Sequence, residues 1–100
     1  MENISFRKEG GVVTAAPAGR IDSVNAKAFG QSMAEIIEGA EKVIVDMSGL
    51  LYISSAALRE FLKLQKTLSK KGVPLVLTGV SDDIRDIFIM THMNELITIE

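Results

Sequence analysis

The pattern that most constrains this chain is the alternation of two kinds of apolar segment. VIVDM at 43–47 and PLVLTG at 74–79 are short, β-branched or leucine-rich runs. Between them lies a long segment whose apolar residues recur every three to four positions: Ala57, Phe61, Leu64 and Leu68 form one stripe, widened by Leu58 and Leu62. Runs of the first kind suit strands buried on both faces of a sheet. The stripe is that of an amphipathic helix, with Arg59, Lys63, Lys66 and Lys70 turned away. Strand, helix, strand in that order implies parallel pairing through a right-handed crossover.

The same logic extends in both directions. ISFRKE and VVTAAPAG flank Gly10-Gly11 and read as a hairpin, with Pro17 at its frayed end or an edge position because it cannot donate a ladder hydrogen bond. Asp22 and Ser23 are N-cap residue types ahead of Phe29, Met33, Ile36, Ile37 and Ala40 at helical spacing, and Gly39 supplies a stop. Gly30 inside that helix costs about 1 kcal/mol relative to alanine, so packing must compensate. Lys70, Lys71 and Gly72 suit the end of the second helix. SDDIRDIFIM opens with a serine cap and an acidic first turn and turns Ile84, Ile87 and Phe88 inward, and LITIE closes the chain as a strand. The expectation is a single α/β domain over 1–100, in the order ββαβαβαβ, with three to four helices and a mostly parallel sheet carrying one antiparallel hairpin strand.

Composition narrows the function. At 100 residues with 47% hydrophobic and 24% charged side chains, the chain has the makeup of one ordinary globular domain. A net charge of −2 without a long run of one sign suggests neither a nucleic-acid groove nor a membrane surface. There is no cysteine, hence no disulfide framework or thiolate metal site. The N-terminal MENISFRKEGG lacks an apolar signal core, which points to a cytoplasmic protein.

In such a sheet, ligands and partners bind where loops leave the C-terminal strand ends. Gly19–Ser23, Ser48–Ser55 and Gly79–Asp83 are those loops. The middle one ends in Ser54-Ser55 at a helix start, and three chemistries share that look. Either serine can cap the helix. A nucleophile needs a base, but the single histidine, His92, lies in IMTHMNEL, and G-x-S-x-G is absent. A phosphate acceptor remains, since a phosphate there would meet helix N–H groups and a favourable dipole. Asp82, Asp83 and Asp86 read as a capping and solvated face, and no metal, phosphate-loop or cofactor motif accompanies them.

DMSGLLYISSAALREFLKL resembles the signature of the STAS domain, the fold of bacterial anti-sigma factor antagonists. The matching residues are Val43–Asp46, Tyr52, the run Ile53 to Ala57, and Leu58. APAGRIDSVNAKAF is similar to a second family segment through Gly19, Ile21 and Asp22, and GVSDDIRDIFIMTHMNELITIE to its last helix and strand. Ala57 departs from the family, where glycine is usual. The resemblance implies a non-enzymatic partner switch with Ser55 as the phosphorylated residue. Unphosphorylated, such a protein binds an anti-sigma factor that is also a serine kinase; phosphorylation releases it and a serine phosphatase resets it. It further implies a contact surface made by Asp22, Ser23, Ser54, Ser55, Ala56, Ala57, Arg59, Ser81 and Asp82. A monomer or weak dimer without cofactors is expected, with no nucleic-acid or membrane partner. The alternative is a STAS module that scaffolds an assembly or serves lipid transport without phosphorylation control.

Overall fold

Three phenylalanines, one per helix, stack through the centre of the molecule. In the computed structural model, Phe29 and Phe61 lie 5.1 Å apart between ring centroids, and Phe61 meets Phe88 edge-on at 5.7 Å. The structure describes residues 3–100; Met1 and Glu2, the first residues of the expected domain, lie outside the described residues.

The hairpin forms as expected. Strand β1 (Ile4–Glu9) pairs antiparallel with β2 (Val12–Pro17), with Glu9 opposite Val12. Gly10 and Gly11 both take positive φ, +55° and +83°, the requirement of a two-residue turn that matches strand twist. Parallel neighbours β4 (Lys42–Asp46), β6 (Leu75–Thr78) and β7 (Thr98–Ile99) complete a sheet of order β1-β2-β4-β6-β7. Helices α1 (Ala26–Ile36), α2 (Ser55–Lys70) and α3 (Asp82–Met90) make the connections, and a short 3-10 turn, Met93–Glu95, precedes β7. Because the strands advance in one direction across the sheet, right-handed crossovers put all three helices on one face.

Burial on both faces holds for β6, where Leu75, Val76 and Leu77 are all buried, but the expectation is corrected for β4. Val13, Ala15, Val43, Val45 and Leu77 are fully buried under the helices, whereas Thr14, Ile44 and Thr78, pointing the other way, are half-buried. The last strand is also shorter than LITIE suggested, with Leu96 exposed and Ile97 in the core.

Two strands were not foreseen. β3 (Gly19–Ile21) and β5 (Leu50–Ile53) pair in parallel as a separate ribbon, continuing beyond the ends of β2 and β4. The observed order is therefore βββαββαβαβ. This ribbon carries the candidate site.

At Gly30, the terminal carboxylate of Glu60 on α2 occupies the space a β-carbon would need. The helix tolerates the glycine because α1 and α2 thereby approach closely, with Phe29 and Met33 packed in the shared core.

Candidate functional site

The two serines have different jobs. Ser54 is the N-cap of α2, in extended conformation, and its hydroxyl accepts a hydrogen bond from the Ala57 N–H at 3.1 Å. Its own N–H donates to the Ile21 carbonyl at 2.9 Å, tying the start of α2 to β3. Ser55 is the first helical residue; it is exposed, and its hydroxyl makes no hydrogen bond among the described residues. No acidic residue occupies the first turn of α2.

Asp22 lies on the adjoining loop. Its Oδ1 accepts from the Val24 N–H at 2.9 Å and the Asn25 N–H at 3.0 Å, while its own N–H donates to Asn25 Oδ1 at 2.8 Å. The Asn25 amide also donates to the Arg20 carbonyl at 2.9 Å. Asp22 thus organises a turn one step before α1, whose N-cap position, Asn25, makes no side-chain cap bond. Ser23, read from sequence as a cap type, is exposed beside it.

The expected contact residues separate into three groups. Ser23, Ser55, Arg59 and Asp82 are exposed, and Asp22, Ser54 and Ala56 are half-buried at the same edge. Ser81 is exposed but engaged as the N-cap of α3, accepting from the Ile84 N–H at 3.3 Å. Ala57 is the correction: it is completely buried on the underside of α2, facing the core and not a partner. Its backbone is ordinary helix, so the departure from glycine creates no strain there.

The three segments expected as loops meet at one edge, although the first two are not simple loops, since they hold β3 and β5. Gly19 N–H donates to the Gly49 carbonyl at 2.9 Å, joining the first to the second. Gly79, at φ +63°, abuts Asp46 and Ser48, joining the third. The Asp46 carboxylate shapes that junction, with Oδ1 accepting from the Ser48 hydroxyl at 2.7 Å and the Ser48 N–H at 3.0 Å. The hydroxyl bond first and the N–H bond second hold its carboxyl below the ordinary range.

Residues that sequence reasoning missed lie on the ribbon. LLYI reads as a buried run, yet Leu51 is 81% and Tyr52 39% exposed, with only Leu50 and Ile53 in the core. The Arg20 guanidinium sits 4.3 Å over the Tyr52 ring. Val24, on the loop after Asp22, is 90% exposed. The strand that leads into α2 and the loop after β3 therefore carry uncovered apolar side chains, and the first residue of α2 an uncommitted hydroxyl, the chemistry of a protein-contact surface.

His92 belongs to the turn after α3, with Nδ1 3.9 Å from Glu95. Among the described residues, no three His, Cys, Asp or Glu side chains converge to hold a metal ion, and no helix is long and apolar enough to cross a membrane.

Comparison with known proteins places this geometry. The family model described as STAS domain matches residues 3–100. BtrV of Bordetella bronchiseptica, named as a candidate anti-sigma factor antagonist, is 31% identical over 86 residues, spanning 85% of this chain and 74% of that protein. Among solved structures, a candidate anti-sigma factor antagonist from Thermotoga maritima superposes with a TM-score of 0.89 at 18% identity, covering 98% of this chain and 86% of its own. The anti-sigma factor antagonist SpoIIAA, in its unphosphorylated form, gives 0.74 at 14% identity, with coverage of 97% and 86%. At these identities the two structures share the fold.

Proposed function

Because the chain belongs to the STAS domain family, we propose that it is an anti-sigma factor antagonist whose hold on its partner is set by phosphorylation of Ser55. The partner is an anti-sigma factor that is also a serine kinase, and a separate serine phosphatase reverses the modification. The domain is the substrate and the switch, not the catalyst.

One observation carries this reading: Ser54 is committed as a helix cap while Ser55, beside it, presents a free and exposed hydroxyl. A kinase that transfers the terminal phosphoryl group of ATP forms a new P–O bond at the Ser55 oxygen, ADP leaves, and the hydroxyl proton is released. Nothing in the fold has to break for this to happen. The product carries about −1.5 to −2 charge at the start of α2, next in the chain to the strand that exposes Leu51 and Tyr52. A partner seated on those apolar groups would have to desolvate the phosphate, which costs several kcal/mol unless it supplies a cation, on the order expected for burying an unpaired ion.

Intact-mass measurement after incubation with the cognate kinase and ATP tests the assignment. Wild type and Ser54→Asn, which keeps a capping oxygen, gain one phosphate; Ser55→Ala gains none. Uptake by Ser55→Ala would remove the proposal, leaving the family's interaction module without this control.

A further inference from the structure

One turn beyond Ser55, α2 carries an arginine with nothing to bind. Arg59 is exposed and makes no hydrogen bond or ion pair among the described residues. Two cations of neighbouring segments are engaged, while Lys27 in the first turn of α1 is exposed and is common to every variant compared below. Arg20 stacks on Tyr52 at 4.3 Å, and Lys63 pairs with Glu60 at 3.2 Å.

Ser55 and Arg59 are four residues apart within one continuous helix. Side chains at that spacing share a face, and helical side chains lean toward the N-terminus, so the Arg59 stem is directed back over the turn that starts with Ser55. Arginine is also the cation whose planar fork matches a phosphate, donating two parallel N–H bonds to its oxygens.

We infer that Arg59 is the internal counter-ion of a phosphate on Ser55. The inference rests on Ser55 being the modified residue and adds how the modified state is held. In the unmodified chain the Arg59 guanidinium is free to meet a carboxylate of the partner. Once Ser55 is phosphorylated, the guanidinium turns to the phosphate. The partner then meets a new anion and loses a cation in the same step.

The carboxylates of this edge act on the phosphate in the opposite sense. They are Asp22 on the loop before α1, Asp46 at the end of β4, Asp82 and Asp83 at the start of α3, and Glu60 on α2 itself. They are common to every variant below, so a difference between variants isolates residue 59.

Phosphoserine incorporated translationally at position 55 allows the test without kinase or partner. The second ionisation of the phosphate is followed by phosphorus NMR as pH is varied, with Arg59, Arg59→Gln and Arg59→Lys compared. Arg59→Gln should raise that pKa by about 0.2–0.7 unit, the range of an exposed ion pair. Arg59→Lys should recover part of the difference, and high salt should shrink it. Equal unfolding midpoints of the unphosphorylated chains establish that the substitutions leave the fold intact. The same phosphate pKa with arginine and glutamine would overturn the inference. This result stands apart from the kinase assay: failure of the kinase to modify Ser55 would end the switch proposal, while the titration alone decides the role of Arg59.

Discussion

The Ser54 hydroxyl accepts a hydrogen bond from the Ala57 N–H at 3.1 Å, and this single contact divides two adjacent, chemically identical side chains into a structural one and a free one. Ala57 is at once the donor of that bond and a wholly buried member of the core. The cap therefore fixes where α2 begins relative to the sheet, and with it the position of Ser55.

From this follows the first prediction. Ser54→Ala removes the cap and costs about 1 kcal/mol, within the usual 0.5–2 kcal/mol for such losses. For a domain of this size that lowers the melting temperature by about 4–8 °C per kcal/mol. Ser55→Ala, which removes no hydrogen bond, leaves it unchanged. Thermal unfolding by circular dichroism separates them; equal losses would show that both hydroxyls serve the fold.

Asp22 is more structural than its surface position suggested, because its carboxylate receives two N–H groups of the loop before α1. Asp22→Asn keeps an acceptor oxygen and should leave the unfolding midpoint nearly unchanged, while Asp22→Ala lowers stability by about 1 kcal/mol. If the charge itself serves the partner, Asp22→Asn weakens partner binding at constant stability. A large drop in midpoint for Asp22→Asn with binding intact would assign the residue to the fold alone.

Asp46 brings a pH dependence of definite sign. Its folded pKa is held below the ordinary 3.8, so the native state favours the carboxylate. The stability this contributes is complete above 3.8 and is lost as pH falls through the lower, folded value. Asp46→Asn lacks that ionisation. The advantage of wild type over Asp46→Asn in melting temperature is expected at neutral pH and should close as the medium is acidified below 3.8; a gap that stays constant with pH would contradict the assignment.

Gly30 and Glu60 should behave as a coupled pair. Alanine at 30 improves helix propensity by about 1 kcal/mol, but its methyl group must displace the Glu60 carboxylate. Gly30→Ala should therefore stabilise more in a Glu60→Ala background than alone. Denaturant unfolding of the four variants gives the coupling directly, and strict additivity would mean the contact is immaterial.

Periodicity made the helices and the central strands legible, because the stripe Ala57, Phe61, Leu64 and Leu68 has one physical explanation. The faces of the sheet were less so. Ile44 is β-branched because strands favour such residues, and that preference does not reveal whether a helix covers it. Leu51 and Tyr52 show the deeper ambiguity: an apolar run reads as core whether the surface burying it belongs to this chain or to another. The ribbon of β3 and β5 stayed hidden because strands of three and four residues hold too little alternation to announce themselves. At the site, residue types alone left both serines as caps or acceptors, and the family resemblance implied Ser55 as the acceptor. Which one caps depended on the helix starting at 55 and not one residue away, a register seen in the bonds that the Ala57 N–H donates to the Ser54 hydroxyl and the Ser54 N–H to the Ile21 carbonyl.

The central claim is that charge at Ser55, not a change of fold, governs the partner. Calorimetric titration of the anti-sigma partner with wild type, Ser55→Ala and Ser55→Asp tests it most directly, with melting temperatures measured in parallel. All three should unfold at nearly the same temperature. Wild type and Ser55→Ala should bind alike, and Ser55→Asp should bind at least tenfold more weakly, corresponding to about 1.4 kcal/mol or more. Equal affinities for all three, at equal stability, would contradict the account and leave Ser55 as no more than the first residue of a helix.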